Sequence, residues 1–328
     1  MEQRALGRTG LNVSALGFGC GAVGGLFVKG TEAEQRQAFD EAVAAGITYF
    51  DTAPGYGNGL SETNLGRVLA ATGAPVVVGT KVRLEVSDVA DAAVAVRRSV
   101  EASLRRLQRE RVDLIQLHNR IGFSQDERSG QLDIADVLGP VVDALDEARA
   151  AGLADHVGFT GLGETSAVQR ILASGRIETV QTYFNAVNPS AGWAGSAPAG
   201  GQDFGGLIDQ AAAAGVGVIV IRPLAGGALG ADAPRHPYAN QGGGGLVSGA
   251  DFDSDVRRAQ AMATLARESG LESPAELSVR LAQAKPGVST VLVGYSDREQ
   301  LAAALRWTAR GPLEPAVVQR VLQLSVMG

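Results

Sequence analysis

The chain has 328 residues, of which 45% are hydrophobic and 20% charged, and its formal net charge at pH 7 is −6. This composition can bury a large core in one large α/β domain or in two ordinary ones. The acidic balance, without a run of Lys or Arg, argues against a nucleic-acid-binding protein, which needs a concentrated basic patch. The single cysteine excludes an internal disulfide framework and a multi-cysteine metal site, so we predict no metal.

The amino-terminal segment MEQRALGRTG lacks the apolar core of a signal peptide, and no stretch reaches the ~18 apolar residues of a membrane span. We therefore expect a cytoplasmic protein that does not bind a membrane. Residues 4–16 carry two short apolar patches around Arg8–Gly10. This pattern predicts a β-hairpin that precedes the main fold.

The next segment, Gly17–Gly25, reads GFGCGAVGG and contains a literal GxGxxG. In a dinucleotide-binding fold, this fingerprint follows a strand and opens a helix whose amino terminus holds the pyrophosphate. Residues 14–18 suit a short strand, but the first helical pattern begins only at Thr31, after the segment Leu26–Lys29. We interpret the motif as a glycine-rich strand end and not as a Rossmann loop.

Short apolar runs then alternate with longer amphipathic runs, which is typical of parallel βα units. Eight segments are predicted as strands: Leu16–Gly19, Ile47–Asp51, Val76–Thr80, Asp113–Leu117, His156–Thr160, Thr179–Thr182, Gly217–Ile221 and Thr290–Val293. The helical patterns include Glu32–Ala45, Glu62–Ala70, Asp88–Leu107, Ile134–Ala150, Ser166–Ala173, Gly206–Ala214, Ser254–Glu268 and Arg298–Thr308. Eight strands, each followed by a helix, match a (β/α)8 TIM barrel better than a doubly wound sheet with a second domain. We predict a single α/β domain over residues 1–328, with the N-terminal β-hairpin at the bottom of the barrel.

Two long irregular segments interrupt this alternation, residues 188–205 after the sixth strand and residues 225–250 after the seventh. In a barrel, such loops leave the carboxyl ends of the strands, the face where active sites lie. Loops of this length in a compact domain are usually functional lids or disordered. We therefore expect long loops at the C-terminal face.

Four ionisable residues stand at or just beyond the carboxyl ends of successive predicted strands: Asp51, Tyr56, Lys81 and His118. Each alone has a structural alternative, as a cap, a rim aromatic, a solvated charge or a hydrogen-bonded core residue. Together they suit proton transfer to or from a carbonyl or alcohol oxygen, because an adjacent ammonium lowers the pKa of a phenol and a carboxylate keeps a buried lysine charged. A histidine can orient the oxygen or relay a proton. The set lacks an electron acceptor, so a dissociable cofactor is implied.

Eight blocks of the chain resemble, in order, blocks of the aldo-keto reductase superfamily: LGFGCG, YFDTAPGYGNGLSETNLGRVL, GTKV, SLRRLQRERVDLIQLHN, ALDEARAAGLADHVGFTG, VQTYFN, RPLAGG and VLVGYSDREQL. The resemblance implies a (β/α)8 barrel that binds NAD(P)(H) across its C-terminal mouth without a Rossmann domain. It also implies an NAD(P)-dependent oxidoreductase in which Tyr56 is the general acid/base. In this scheme Lys81 tunes Tyr56, Asp51 holds Lys81, and His118 orients the substrate oxygen.

The resemblance further implies cofactor-binding residues: Gly19, Cys20, Gly21, Asp51, Thr160, Gly161, Gln181, Ile221, Arg222, Pro223, Leu224, Gly226, Gly294, Ser296, Arg298 and Gln300. Thr160–Gly161 stands where the family usually has Ser-Asn for the nicotinamide carboxamide, and Gln181 matches its partner. Ile221–Leu224 replaces an aromatic residue followed by Ser-Pro-Leu. Ser296 stands where the family often has an arginine that grips the 2′-phosphate, with Arg298 as a possible substitute. This departure favours NAD or dual use over strict NADP preference and leaves the choice open.

The blocks YFDTAPGYG and GTKV resemble those of aldose and galactose dehydrogenases, which oxidise sugar lactols, and of pyridoxal dehydrogenase-like relatives. We expect a small polar aldehyde, ketone or sugar as substrate, with Phe27, Asn119, Trp193 and Tyr238 as pocket walls. A loop anchor is an alternative role for Trp193, and a turn cap is one for Asn119.

Two other functions remain open at this point. A barrel lyase or aldolase would form a Schiff base on Lys81, which explains a lysine at a strand end but leaves Asp51 and Tyr56 less to do. A non-catalytic regulatory subunit would sense the redox state of a bound nucleotide. In each case we expect a monomer or a weak homo-oligomer.

Overall fold

The computed structural model describes residues 1–230, 235–241 and 251–327. The strands of these ranges are β1 Gln3–Ala5, β2 Asn12–Ser14, β3 Leu16–Gly19, β4 Tyr49–Asp51, β5 Val77–Val82, β6 Val112–Leu117, β7 Arg120–Gly122, β8 Gln131–Asp133, β9 Ala154–Thr160, β10 Leu162–Gly163, β11 Thr179–Tyr183, β12 Gly217–Ile221 and β13 Val288–Gly294. The helices are α1 Leu26–Lys29, α2 Glu32–Ala44, α3 Leu60–Thr72, α4 Ala92–Leu107, α5 Ile134–Asp136, α6 Val142–Ala150, α7 Thr165–Ala173, α8 Leu207–Ala213, α9 Phe252–Glu268, α10 Pro274–Ala284, α11 Arg298–Ala309 and α12 Pro315–Met327.

Eight parallel strands close a barrel in the order β3, β4, β5, β6, β9, β11, β12 and β13. The closing pair runs from Val291 opposite Leu16 to Gly294 opposite Gly19. The strands are rich in β-branched residues, as in the run GVIVI of β12, and they are buried along most of their length because helices cover the outer face. The predicted (β/α)8 barrel is confirmed.

The amino-terminal hairpin lies at the bottom of the barrel. β1 and β2 pair antiparallel, with Arg4 opposite Val13. Leu6 and Val13 are fully buried in an apolar cluster inside the barrel with Tyr49, Leu114, Ile219 and Leu292. The Arg8 guanidinium donates hydrogen bonds to backbone carbonyls that precede β11 and β12. The hairpin therefore fills and closes the end of the barrel opposite its C-terminal mouth, as predicted.

The glycine-rich segment after β3 differs from the prediction in one respect. Residues 26–29, expected to lie outside any helix, form the single helical turn α1. A four-residue helix shows no repeating apolar pattern, so the sequence does not reveal it. Gly24 is required by close packing, because a Cβ there would lie 2.3 Å from the Tyr295 backbone nitrogen. The segment packs against the end of β13 and does not form a Rossmann unit.

The structure also departs from the predicted elements at other places. The predicted helix 134–150 is interrupted between α5 and α6 by a π-helical turn that contains Pro140, which lacks an N–H donor. The short parallel strands β10, β7 and β8 form a separate sheet beside the barrel, and helix α12 follows the last unit. In the described ranges, no helix is both long and apolar enough to cross a membrane.

Of the two long loops, only the first is described throughout. In residues 188–205 the Asn188 side chain donates a hydrogen bond to the Gln202 carbonyl (2.9 Å), which ties the two arms of the loop together. In the second loop, predicted over 225–250, residues 225–230 form 3-10 turns that are kinked at Gly226 and Gly227, where φ is positive. Residues 231–234 and 242–250 of that loop lie outside the described residues.

Candidate active site

The four ionisable residues singled out in the sequence meet at the C-terminal mouth of the barrel. Asp51 ends β4, Lys81 lies near the end of β5, and His118 directly follows β6. The Lys81 ammonium forms an ion pair with Asp51 and lies 5.0 Å from the centroid of the Tyr56 ring. The Tyr56 and His118 rings meet edge to face with centroids 6.1 Å apart. Residues up to 67 positions apart in the chain thus form one compact polar cluster.

The Asp51 carboxylate lies at the centre of this cluster. Besides the Lys81 ammonium, it accepts hydrogen bonds from the Tyr49 hydroxyl (3.3 Å), the Gln116 amide (3.2 Å) and the Gln181 amide (2.6 Å). Lys81 also donates to the Thr52 carbonyl (2.9 Å). Because buried charges persist only when they are paired and hydrogen-bonded, this arrangement stabilises Asp51 and Lys81 as an ion pair.

The electrostatics of the cluster set the protonation state of each member. Burial works against the charged lysine, but the nearby Asp51 carboxylate and Tyr56 outweigh it and raise the pKa of Lys81. For Tyr56, burial is the largest influence and raises the pKa of the phenol, although the Lys81 ammonium acts in the opposite direction. Lys81 therefore pulls the phenol pKa downwards as the sequence predicts, but the net shift is upwards because desolvation is stronger. At neutral pH Lys81 is a cation and Tyr56 a protonated phenol.

His118 is held in its neutral form. Burial lowers its pKa to about 3, and the positive charges of Lys81, Arg83 and Arg222 contribute to the shift. A neutral imidazole can donate one hydrogen bond to a substrate oxygen without carrying a charge. Tyr56 and His118 thus place a phenol and an imidazole on one side of the mouth, two groups that can donate a proton and orient an oxygen atom.

A cavity of about 630 Å³ opens beside this cluster, within the size range of small-molecule and cofactor sites. Fifteen predicted site residues line it: Gly19, Gly21, Asp51, Tyr56, His118, Thr160, Gln181, Ile221, Arg222, Pro223, Leu224, Gly226, Gly294, Ser296 and Gln300. Lys81 lies behind Asp51 and Tyr56, which separate it from the cavity. In the described residues, no group of three or more His, Cys, Asp and Glu side chains is placed to hold a metal ion.

Three residues of the predicted cofactor set do not line the cavity. Cys20 is buried behind its wall, where desolvation raises the pKa of the thiol. The Gly161 N–H donates a hydrogen bond to the Gln181 backbone carbonyl of the neighbouring strand β11 (2.7 Å). The Arg298 guanidinium extends over the outer surface to Glu41 (2.8 Å) and Gln37.

The four residues predicted as pocket walls are also not among the residues that line the cavity. Phe27 is fully buried in the core with its ring centroid 5.5 Å from that of Phe18. Asn119 is buried, and its side-chain amide connects two loops by donating hydrogen bonds to the carbonyls of Leu84 (2.7 Å) and Gly130 (2.9 Å). Trp193 packs against Phe184 and Lys285, and the Tyr238 hydroxyl donates to Glu34 (3.1 Å). Their polar or aromatic character therefore serves packing and loop anchoring.

Other residues contribute to the site without having been singled out. Gln116 precedes His118 by two positions, and Tyr183 follows Gln181 by two, so each shares the inward face of its strand with a predicted residue. This two-residue alternation is a signal that could have identified both. Trp307 of α11 and Arg235 of the loop after β12 line the cavity as well, but no periodic signal marks them.

Comparison with known proteins agrees with this geometry. A model of the aldo/keto reductase family matches residues 15–325. L-galactose dehydrogenase of Arabidopsis thaliana is 30% identical over 310 residues, which cover 92% of this chain and 86% of that protein. D-threo-aldose 1-dehydrogenase of a Pseudomonas species is 32% identical over 180 residues, or 47% of this chain and 52% of that protein. A solved aldo-keto reductase from Bacillus halodurans, in its holo form, matches with a TM-score of 0.74 at 26% identity and covers 99% of this chain and 96% of that chain.

The family match spans all eight barrel strands, from β3 to β13, and the polar cluster at their carboxyl ends. The resemblance inferred from the sequence blocks is confirmed. The chain belongs to the aldo/keto reductase family and is an oxidoreductase.

Proposed function

We propose that this oxidoreductase transfers hydride between the nicotinamide of NAD(P)(H) and a small carbonyl compound, alcohol or sugar lactol, with Tyr56 as general acid/base. The observation that carries the proposal is the position of the protonated Tyr56 phenol, next to the Lys81 ammonium and the neutral His118, at the wall of the cavity. In reduction Tyr56 donates its proton to the oxygen of the carbonyl that accepts the hydride. In oxidation the phenolate accepts the proton of the hydroxyl group, so that a lactol becomes a lactone.

The residues of the cavity fit a nicotinamide dinucleotide, which when bound would accept or supply the hydride. Glycine at position 21 leaves space beside the Tyr56 ring, since a Cβ on Gly21 would lie only 3.2 Å from that ring. The Thr160 hydroxyl donates a hydrogen bond to the Gln181 side-chain carbonyl (3.5 Å), and the Gln181 amide nitrogen donates to Asp51. Both residues line the cavity, and their oxygen atoms are acceptors for the NH2 group of a carboxamide.

The segment after β13, which lines the end of the cavity expected to hold the adenosine, favours NAD over NADP. Of the described side chains after β13 that line it, Ser296, Gln300 and Trp307 carry no positive charge. Ser296 is buried, and its hydroxyl donates to the Gly24 carbonyl (2.6 Å). Arg298, the candidate substitute for a 2′-phosphate ligand, instead extends to Glu41 on α2. The segment after β13 thus offers a 2′-phosphate no bidentate arginine, and Arg235 of the loop after β12 is the arginine that lines the cavity near this segment.

The two tryptophans of the chain provide a built-in test of cofactor binding. Trp307 lines the cavity, whereas Trp193 belongs to the loop after β11, packs on Phe184 and is not among the lining residues. We expect NADH to quench the protein fluorescence with tighter binding than NADPH. The Trp307→Phe variant should lose most of the quench, and Trp193→Phe should retain it. Equal quenching in both variants would contradict the proposed location of the nucleotide.

The reaction itself is tested by following NADH absorbance with purified protein and a panel of aldoses, aldehydes and ketones. We expect turnover with at least one small polar member of the panel, in the presence of NAD⁺ for lactols or NADH for carbonyls. The names of the two dehydrogenase relatives make aldoses the first choice. Nucleotide binding without turnover over the whole panel would contradict the proposed activity and favour a nucleotide-sensing role.

The position of Lys81 argues against a Schiff-base lyase. An amine attacks a carbonyl only in its neutral form, and the ion pair with Asp51 raises the pKa of Lys81. Asp51 and Tyr56 also lie between the ammonium and the cavity. These observations support a role for Lys81 beside Tyr56 over a role as nucleophile.

A further inference from the structure

Tyr49 is a polar side chain in the interior of the barrel that the proposed reaction does not use. It begins β4, and it is fully buried in the apolar cluster inside the barrel. Alternate residues of a strand face the same side, so Tyr49 and Asp51 both point inwards. The Tyr49 hydroxyl donates a hydrogen bond to Oδ2 of Asp51 (3.3 Å), although Tyr49 is not among the residues that line the cavity. It therefore meets the carboxylate from within the barrel and not from the cavity.

The two oxygen atoms of the Asp51 carboxylate have different partners. Oδ1 forms the ion pair with the Lys81 ammonium. Oδ2 accepts hydrogen bonds from three neutral donors, the Tyr49 hydroxyl, the Gln116 amide (3.2 Å) and the Gln181 amide (2.6 Å). Rotation of the carboxylate would disturb the contacts of both oxygens at once. The three donors thus keep Oδ1 directed at Lys81.

The neighbouring strand provides the space for the Tyr49 hydroxyl. Gly79 of β5 lies opposite Asp51 in the sheet. A Cβ at Gly79 would lie 2.5 Å from the Tyr49 hydroxyl oxygen and 3.4 Å from Oδ2 of Asp51. A glycine within a strand weakens it and often marks a close approach of another group. Any side chain at position 79 would therefore displace the hydroxyl from the carboxylate.

Gln116 shows that the fold retains the donors around Asp51 at a cost in stability. Only the amide nitrogen of a glutamine can donate to a carboxylate, so the Gln116 side chain turns Nε2 towards Asp51. Its Oε1 is then buried without a hydrogen-bond partner among the described residues. An unsatisfied buried acceptor destabilises a fold. The glycine at position 79 and this unpaired oxygen both accompany the contacts of one carboxylate oxygen.

The Tyr49 hydroxyl remains a donor over a wide pH range. Burial and the Asp51 carboxylate raise the pKa of Tyr49 well above its ordinary value, so the phenol stays protonated. The other titratable or charged groups around Asp51 and Tyr56 are Cys20, Lys81, His118 and Arg222. Among these, Lys81 connects Asp51 to Tyr56, since its Nζ pairs with Asp51 and lies 5.0 Å from the centroid of the Tyr56 ring.

We propose that Tyr49 is a positioning residue for the proposed reaction, whose hydroxyl directs the Asp51 carboxylate at Lys81 and so keeps the ammonium beside Tyr56. Without this hydroxyl, the negative charge of Asp51 is less dispersed and its carboxylate is less firmly held. Both changes weaken the effect of Lys81 on Tyr56, so the phenol ionises less readily. This inference rests on the proposed function, because it assigns a further part of the same proton-transfer site.

The first measurement requires no turnover. Tetranitromethane nitrates phenolates, so at pH ~8, below the ordinary phenol pKa of about 10, the nitration rate reports the phenolate fraction. Peptide mass spectrometry compares the nitration of Tyr56 with that of Tyr183, a second phenol of the same cavity. We expect the Tyr56-to-Tyr183 ratio to fall about 3- to 10-fold in Tyr49→Phe, the effect of one lost hydrogen bond. Tyr295→Phe, which removes the hydroxyl of another fully buried tyrosine, should leave the ratio unchanged.

The Gly79→Ala variant separates hydrogen bonding from packing. Alone, it should displace the Tyr49 hydroxyl and lower the nitration ratio as Tyr49→Phe does. In the double variant Tyr49→Phe with Gly79→Ala, the added methyl group occupies the space of the lost hydroxyl. Urea denaturation should then show a higher unfolding free energy than for either single variant. The nitration ratio should stay low, because no donor replaces the hydroxyl.

In turnover, Tyr49→Phe should lower kcat about 2- to 5-fold, because a less acidic phenol transfers its proton more slowly. KM and the NADH titration should not change, since Tyr49 does not line the cavity. Three results would overturn the proposal: a wild-type nitration ratio in Tyr49→Phe, a ratio restored by the double variant, or an unchanged kcat in Tyr49→Phe. If no substrate is turned over, the proposed activity fails separately, and the nitration ratio still decides the role of Tyr49.

Discussion

Replacement of Tyr56 by phenylalanine should lower kcat about 10²- to 10⁴-fold, the contribution of a positioned general acid. The substitution removes only the hydroxyl group, and the aromatic ring that contacts His118 and packs next to Gly21 remains. NADH binding, followed through Trp307 fluorescence, should therefore stay within a few-fold of the wild type. The Tyr183→Phe variant is the matched control, because it removes a phenol from the same cavity but not from the Lys81–Asp51 cluster.

The pH dependence of the wild type makes this assignment more specific. Because the pKa of Tyr56 is raised, its phenol stays protonated through neutral pH. Carbonyl reduction should be independent of pH there and decline only at a pH above the ordinary phenol pKa of about 10. His118, whose pKa is about 3, should add no transition near its ordinary value. A kcat of Tyr56→Phe equal to that of the wild type, or a reduction rate that rises with pH across neutrality, would contradict the role of Tyr56.

The barrel and the polar cluster at its mouth could be predicted from the sequence because both depend on strong local signals. Short apolar runs alternate with amphipathic ones, and parallel strands of a closed barrel bring their carboxyl ends together. Once Asp51 and His118 are placed at such ends, their convergence follows from topology alone. The deeper contacts of Asp51 with Gln116 and Gln181 follow from the same geometry, since alternate residues of a strand face the same side.

The orientation of several other side chains could not be predicted because residue type does not say which way a side chain points. Phe27 lies in a helical turn too short to show a pattern, and it packs on Phe18 in the core. Asn119 follows His118 directly, so its side chain leaves the strand on the other side and ties two loops together. The position of the Arg298 side chain depends on how α11 packs against α2, which brings the guanidinium to Glu41. Each outcome is decided by tertiary packing.

Replacement of Lys81 by methionine should lower both activity and stability. The variant leaves the Asp51 carboxylate buried with Tyr49, Gln116 and Gln181 as hydrogen-bond donors but without a cation. Breaking a buried pair in this way costs about 3 to 5 kcal/mol of unfolding free energy. Tyr56 also loses the ammonium that opposes the effect of burial, so the pKa of its phenol should rise further and kcat should fall about 10²-fold or more.

The double variant Lys81→Met with Asp51→Asn separates the two effects. It removes both charges and keeps a side chain of the same shape at position 51, so urea denaturation should show a higher unfolding free energy than for Lys81→Met alone, while activity stays low. The comparison belongs at pH 7. Because the pKa of Lys81 is raised, its contribution to stability is fully present below the unfolded-state value of about 10.4 and is lost only as the pH rises through the folded-state value. If Lys81→Met is as stable as the wild type, or the double variant is no more stable than the single one, the Asp51–Lys81 pair is not the buried ion pair that orders this site. Recovery of activity in the double variant would show that Tyr56 works without a neighbouring cation.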